Sequence, residues 1–207
     1  YPEPFERAME TRHRLAVIAK ADGNAKRDFE LQREIFQADQ RGGSARTERT
    51  RYLGAMAALA LAQPAVDDYK KVALVEPLQR SLKTKKAKLE DALKGYAVAA
   101  DYGVADASTA ATFHTAALYQ DFGQAMLKSQ RPKGLKKLEL EQYNVLLEEQ
   151  AFPFEEKAIT LHEINAKRSA QGVYDEWVSK SFAALRTLKP GRYARAERVE
   201  GVIDAIR

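Results

Sequence analysis

The stretch LKKLELEQYNVLLEEQAFPFEEKAITLHEINAK, residues 135–167, fills most of the interval between two turn-forming breaks of the chain. Its apolar side chains recur every three or four residues, which places them on one face of an α-helix. They are Leu140, Tyr143, Leu147, Ala151, Phe154, Ala158 and Leu161. Pro153 lies inside this run and removes the N–H that would bond the Glu149 carbonyl. The sequence therefore predicts one long helical segment with a kink or a break near Phe152.

The rest of the chain has the same helical character. Ala, Leu, Glu, Lys, Arg and Gln dominate, and all of them are strong helix formers. No stretch alternates apolar and polar residues for long enough to predict a strand. Breaks rich in glycine and proline fall at 22–24, 42–44, 63–64, 103, 131–134, 171–172 and 189–191. Helices of similar size joined by short loops indicate antiparallel neighbours stacked in a row, a solenoid-like architecture.

The composition excludes several classes of protein. With 45% hydrophobic and 30% charged residues, the chain is neither disordered nor of low complexity. Its longest apolar run, residues 55–62, is far shorter than the roughly 20 residues of a membrane helix. It has no cysteine, which excludes disulfides and thiolate chemistry and suits an oxidising compartment. The net charge of +5 is a mild excess for 207 residues.

One stretch is typical of a tetratricopeptide helix. Ala92, Tyr96 and Ala99 have the small–aromatic–small spacing of that repeat's second helix, in which small residues let neighbouring helices approach and the aromatic ring fills the gap. No segment matches the full repeat of about 34 residues. We predict an all-α, tetratricopeptide-like stack of antiparallel helical hairpins, forming one domain over residues 1–207.

A more specific likeness covers about residues 109–197. Its blocks are TAATF (109–113), LYQDFG (118–123), SQRP (129–132), LELEQY (138–143), LLEEQAFPFEEKAI (146–159), LHEINA (161–166) and YDEWV (174–178). Together they resemble the C-terminal part of the tetratricopeptide envelope proteins of the adventurous gliding motility type. Residues 106–207 are then the family-like part, whereas residues 1–105, the N-terminal helices, carry little of the likeness.

The resemblance implies a periplasmic or outer-membrane-associated scaffold that works beside a proton-driven motor of the Tol/Exb/TonB type. It brings no catalytic residues with it. Because the chain opens at Tyr1 without Met, we expect it to be a fragment of a longer protein, with any signal peptide or lipid anchor preceding Tyr1.

The glutamates of residues 135–167 are the densest group of candidate chemical residues. A di-iron or di-manganese centre in a helical bundle needs Glu-x-x-His, but Ile159 precedes His162 by three residues and Ala111 precedes His114. Neighbours such as Glu148 and Glu149 point about 100° apart on a helix and do not converge for acid–base work. We therefore expect no metal, no cofactor and no enzymatic activity. A periplasmic helical glycan-processing enzyme is the alternative.

A basic cluster, Arg80, Lys83, Lys85, Lys86 and Lys88, raises a second alternative. Five cations within nine residues attract phosphate, as in a cytoplasmic nucleic-acid-binding helical protein. However, they spread around a helix, and no aromatic residue lies among them to stack on bases. The sequence favours a solvated helix face here, which could meet acidic partners or lipid headgroups.

The motif Phe152-Pro153-Phe154 suggests the binding site. A kink with phenylalanine on both sides cannot bury both rings on one face, so one ring is free to line a groove. We predict a groove for protein partners with Tyr143 and Phe152 as anchors and an acidic rim for basic segments, formed by Glu148, Glu149, Glu155 and Glu156. The alternative is that these residues only pack against neighbouring helices.

Overall fold

The structure is a computed structural model that describes residues 4–195. Helices α1 to α9 span Phe5–Ala21, Ala25–Arg41, Glu48–Leu61, Gln63–Lys71, Leu78–Ala100, Ala105–Leu127, Lys137–Arg168, Glu176–Leu188 and Pro190–Tyr193. The part of the chain described contains no strand, which confirms the predicted all-α fold class. Within residues 4–195, no helix combines the length and the apolar character needed to cross a membrane.

The helices pack in the order in which they occur along the chain. α1 packs on α2 and α2 on α3, while α5 packs on both α3 and α4. From there α5 packs on α6, α6 on α7 and α7 on α8. Further contacts join α1 to α3, α3 to α6, and α6 to α8. The result is a row of helices in which sequence neighbours are also neighbours in space.

Small residues bring α5 close to the junction of α3 and α4. Ala92 and Ala99 are fully buried, and the Tyr96 ring between them is 4% exposed. A Cβ added at Gly95 would lie 3.1 Å from the Cα of Ala62. The backbones can approach this closely only because no side chain intervenes.

Helix α7 runs unbroken from Lys137 to Arg168 with Pro153 inside it, so the break that the sequence allows at Phe152 does not occur. Ala151 and Ala158, on either side of the proline, are buried. On α6, a Cβ added at Gly123 would lie only 3.4 Å from the Ala151 carbonyl oxygen, so the two helices approach closely here. Packing of the flanking turns against α6 outweighs the hydrogen bond that proline removes.

Asp175 begins α8 and ties it to α6. One carboxylate oxygen accepts hydrogen bonds from the backbone N–H groups of Trp177 and Val178, both at 2.9 Å. The other oxygen accepts from the Thr109 hydroxyl. This satisfies two of the N–H groups that the first turn of a helix leaves without partners.

We expect Asp175→Ala to lower the free energy of unfolding by about 1–2 kcal/mol, because two N–H groups lose their acceptor. Urea denaturation followed by circular dichroism measures the change. Asp175→Ser keeps a short oxygen acceptor and should recover most of the loss. Equal stability of Asp175→Ala and wild type would contradict this role.

Candidate functional site

All six residues predicted to bind a partner lie on α7, but only three of them line the same groove. Glu148, Phe152 and Glu155 line an open groove of about 200 Å³ between α6 and α7. Gly123 and Leu127 of α6 form its other wall, and Leu188, the last residue of α8, lies at its edge. The residues that line this groove do not include Tyr143, Glu149 or Glu156.

The two phenylalanines beside Pro153 point in different directions. Phe154 packs into the core, with its ring centroid 4.6 Å from that of Phe122 and 6.4 Å from that of Tyr119. Phe152 is 61% exposed. One ring therefore contributes to the α6–α7 packing, and the other is available to a ligand.

Tyr143 belongs to a different local arrangement. It is half-buried, and the Arg131 guanidinium carbon lies 6.0 Å from the centre of its ring. Arg131 also donates to the Asn144 side-chain oxygen at 2.7 Å. The tyrosine thus helps to hold the turn between α6 and α7, one and a half turns of helix away from Glu148.

The surface of α7 carries a strong local charge. Residues 138–156 contain six glutamates and neither lysine nor arginine, in a chain whose net charge is +5. All six are exposed: Glu139, Glu141, Glu148, Glu149, Glu155 and Glu156. Within residues 4–195, none of them forms an ion pair. This charge is therefore available to a cationic partner.

Large apolar side chains stand among these glutamates. Leu138, Val145, Leu146 and Phe152 are between 53% and 66% exposed. Sequence reasoning selected Phe152 and missed the other three. The signal that could have found two of them is the seven-residue spacing of Leu138, Val145 and Phe152. These three positions form a second apolar row, separate from the row that faces the core.

The basic cluster on α5 is largely the solvated face that the sequence favours, since Arg80, Lys83 and Lys86 are exposed. The exception is Lys85, which is only 4% exposed. Its Nζ donates to the carbonyl oxygens of Val72 at 2.9 Å and Tyr69 at 3.3 Å, and lies 4.1 Å from the centre of the Tyr69 ring. Burial lowers the pKa of Lys85. The carbonyls at the end of α4 need donors, and this lysine supplies them.

A buried serine–histidine contact resembles a nucleophile and its base. Nδ1 of His162 lies 3.3 Å from Oγ of Ser181, and Asn165 donates to that same oxygen at 3.0 Å. Ser181 is fully buried, however, so no substrate can reach its hydroxyl. Asn165 also donates to the Thr109 carbonyl at 2.9 Å, which extends the network from α7 and α8 to α6. Its role is to fix how three helices pack.

A second concave region lies around Tyr96 and His114. The two rings stack with centroids 5.2 Å apart, and both line two adjoining cavities of about 360 and 230 Å³. The Trp177 ring of α8 lies 4.7 Å from His114. Burial lowers the pKa of His114, so this aromatic surface favours the neutral imidazole. Sequence reasoning considered His114 only as a metal ligand and missed this region.

The described residues include no group of three or more His, Asp or Glu side chains placed to hold a metal ion. Comparison with known proteins finds no family model, no curated protein and no solved structure that matches this chain.

Proposed function

We propose that this chain is a non-enzymatic scaffold of the bacterial cell envelope, whose tetratricopeptide-like stack holds segments of partner proteins. The contacts among helices support this architecture. α1, α3, α6 and α8 touch in succession, and α2, α5 and α7 each lie between two of them. Stacked helical hairpins have this connectivity, and proteins built in this way present long surfaces to their partners.

The observation that carries the proposal is the apolar surface of α7. Phe152 and Leu138 are exposed by 61% and 66%, with Val145 and Leu146 beside them. Several large apolar side chains exposed on one helix and flanked by charge are typical of sites of protein–protein contact. Clustered exposed side chains of this size on one helix are best explained by a partner that covers them.

The cellular location is proposed from the resemblance of residues 109–197 to gliding-motility envelope proteins. That resemblance suggests partners of the Tol/Exb/TonB class of proton-driven motor, in the periplasm or at the outer membrane. The absence of cysteine suits an oxidising compartment.

In-cell photo-crosslinking tests the proposal. A photoreactive amino acid is placed at Glu149 in the tagged full-length protein, and a matched control carries it at Lys86 on α5; both positions are exposed. We expect position 149 to capture one or a few envelope proteins that position 86 does not. If no surface position captured a specific partner, the scaffold function would be rejected. Capture of ribosomal or nucleic-acid-binding proteins would instead indicate a cytoplasmic protein and contradict the envelope location.

The apolar side chains of α7 should matter for partners and not for folding. We expect the double variant Val145→Ser/Phe152→Ser to change the free energy of unfolding by no more than about 0.5 kcal/mol per site, because both side chains are mainly in water. Crosslinking from position 149 should fall to the level of the control position. A variant that captures the same partners with undiminished yield would place the binding surface elsewhere.

A further inference from the structure

Helix α7 has two apolar rows with the same seven-residue repeat. Leu140, Leu147 and Phe154 are buried or half-buried. Two residues before each of them come Leu138, Val145 and Phe152, which are exposed by 66%, 53% and 61%. A shift of two residues along a helix is a rotation of about 200° around its axis, so the two rows lie on opposite sides of α7. We name the exposed row Leu138, Val145 and Phe152 the α7 ridge.

Towards the C-terminus of α7, the row of the α7 ridge leads into the interface between α7 and α8. The next residue of the row, Ile159, is half-buried. Three residues later His162 contacts Ser181 of α8, and Glu163 pairs with Lys189 at 3.0 Å just beyond the end of α8. α8 therefore packs beside the C-terminal half of α7 and ends near Phe152, where Leu188 lines the same groove. The rest of the α7 ridge, Leu138 and Val145, lies on the N-terminal half of α7, beyond the end of α8.

We propose that the α7 ridge binds a basic amphipathic α-helix of a partner protein, which lies along α7 as α8 does further on. The repeat distance favours a helix as the occupant. Seven residues of helix rise about 10.5 Å, so the three ridge side chains span about 21 Å and match the heptad repeat of another helix. An extended strand presents side chains on one face about every 6.6 Å and would fall out of register.

The charge beside the ridge defines the chemistry of the partner. Three residues after each ridge position comes a glutamate, Glu141, Glu148 or Glu155. The position after that is Gln142, Glu149 or Glu156. Lysine or arginine at the flanking positions of the partner helix would meet these carboxylates, as opposite charges do beside a coiled-coil seam.

The same charges argue against a second copy of this chain as the occupant. Two α7 ridges placed face to face would bring acidic flanks together, with no lysine or arginine between residues 138 and 156 to compensate. Like charges across an interface oppose association. The partner is therefore a different segment, with apolar residues at heptad spacing and cations on both sides of them.

The proposal rests on the scaffold function and is tested separately from it with synthetic helices. The probe is a capped peptide of about 21 residues with leucine at the heptad core positions and lysine or arginine at the flanking positions. One matched peptide has glutamate at the flanks, and another keeps the composition but moves the leucines off the heptad. Fluorescence anisotropy at low and high salt measures binding to the whole chain.

We expect the basic heptad peptide to bind and both matched peptides to bind at least about tenfold more weakly. Val145→Ser/Phe152→Ser should weaken binding by about tenfold or more, whereas Leu15→Ser/Ile18→Ser, an exposed apolar pair on α1, should leave it unchanged. Glu149→Lys should weaken binding and Glu90→Lys should not. Circular dichroism confirms that each variant remains folded.

Three results would overturn the proposal. The first is equal binding of the peptide with displaced leucines, which would reduce the interaction to charge alone. The second is binding that survives the double serine variant, and the third is a dimer of the chain that this variant dissociates. Any of these three results would reject the α7 ridge as the binding site. If other surfaces of the chain still crosslinked to envelope proteins, the scaffold function itself would be retained.

Discussion

Replacing Lys85 by methionine is expected to lower the free energy of unfolding by about 2–3 kcal/mol. Methionine fills a similar space, but it cannot donate to the carbonyl oxygens of Val72 and Tyr69, which accept from Nζ at 2.9 and 3.3 Å. These two carbonyl groups lie at the C-terminal end of α4. Because Lys85 is only 4% exposed, water has little access to the carbonyl oxygens and cannot replace the lost donor. The contact of the ammonium group with the Tyr69 ring is lost as well.

Lys86→Met is the matched control, because it removes the same charge from the next residue of α5. Lys86 is exposed, and a surface substitution of this kind changes stability by no more than about 0.5 kcal/mol. Urea denaturation of both variants at one pH and salt concentration gives the comparison. Equal effects at the two positions would show that the Lys85 contacts do not stabilise α4.

Acidification is expected to destabilise the protein through His162. The side chain is 1% exposed, and burial lowers its pKa from 6.5 to about 4. The unfolded chain therefore binds a proton at a higher pH than the folded chain does, and stability falls as the pH drops from about 6.5 to about 4. At about 1.4 kcal/mol for each tenfold difference in proton affinity, the full loss of unfolding free energy is about 3.5 kcal/mol.

His162→Leu isolates this effect because it removes the titrating group and keeps an apolar side chain of similar size. Between about pH 6.5 and about pH 4, the free energy of unfolding of the variant should fall less steeply than that of wild type. Carboxylates with lowered pKa values, such as Glu163 beside Lys189, lose stabilisation at acidic pH in both proteins and cancel in the comparison. Parallel pH dependences would contradict the assignment of a neutral, buried imidazole.

Local sequence predicted the helices well because helix propensity and apolar spacing act within one or two turns. The spacing of Ala92, Tyr96 and Ala99 correctly identified a packed helix face, and all three side chains are buried. The helices that contact one another in succession, α1, α3, α6 and α8, begin at Phe5, Glu48, Ala105 and Glu176, further apart than a repeat of about 34 residues. This spacing agrees with the observation that no segment matches the complete tetratricopeptide pattern.

The candidate site was only partly predictable. The apolar and acidic residues of α7 could be read from their order along the chain, and Phe152 was selected correctly as the exposed member of its pair. Tyr143 was grouped with it because the two share a helix, but the turn before α7 places Arg131 against the tyrosine ring. The cavities at His114 were missed, since residues from six helices, α1 to α6, line them together.

The sequence by itself determined that the chain is all-helical, that it lacks thiol chemistry, and that negative charge and apolar side chains are concentrated together in residues 138–156. These properties depend on which residues are present and on spacing within a helix. Only the tertiary structure decided that α7 continues through Pro153, that Lys85 caps α4, and that the α7 ridge remains uncovered. Each of these depends on which backbone or side chain another helix brings within contact distance, and neither propensity nor periodicity contains that information.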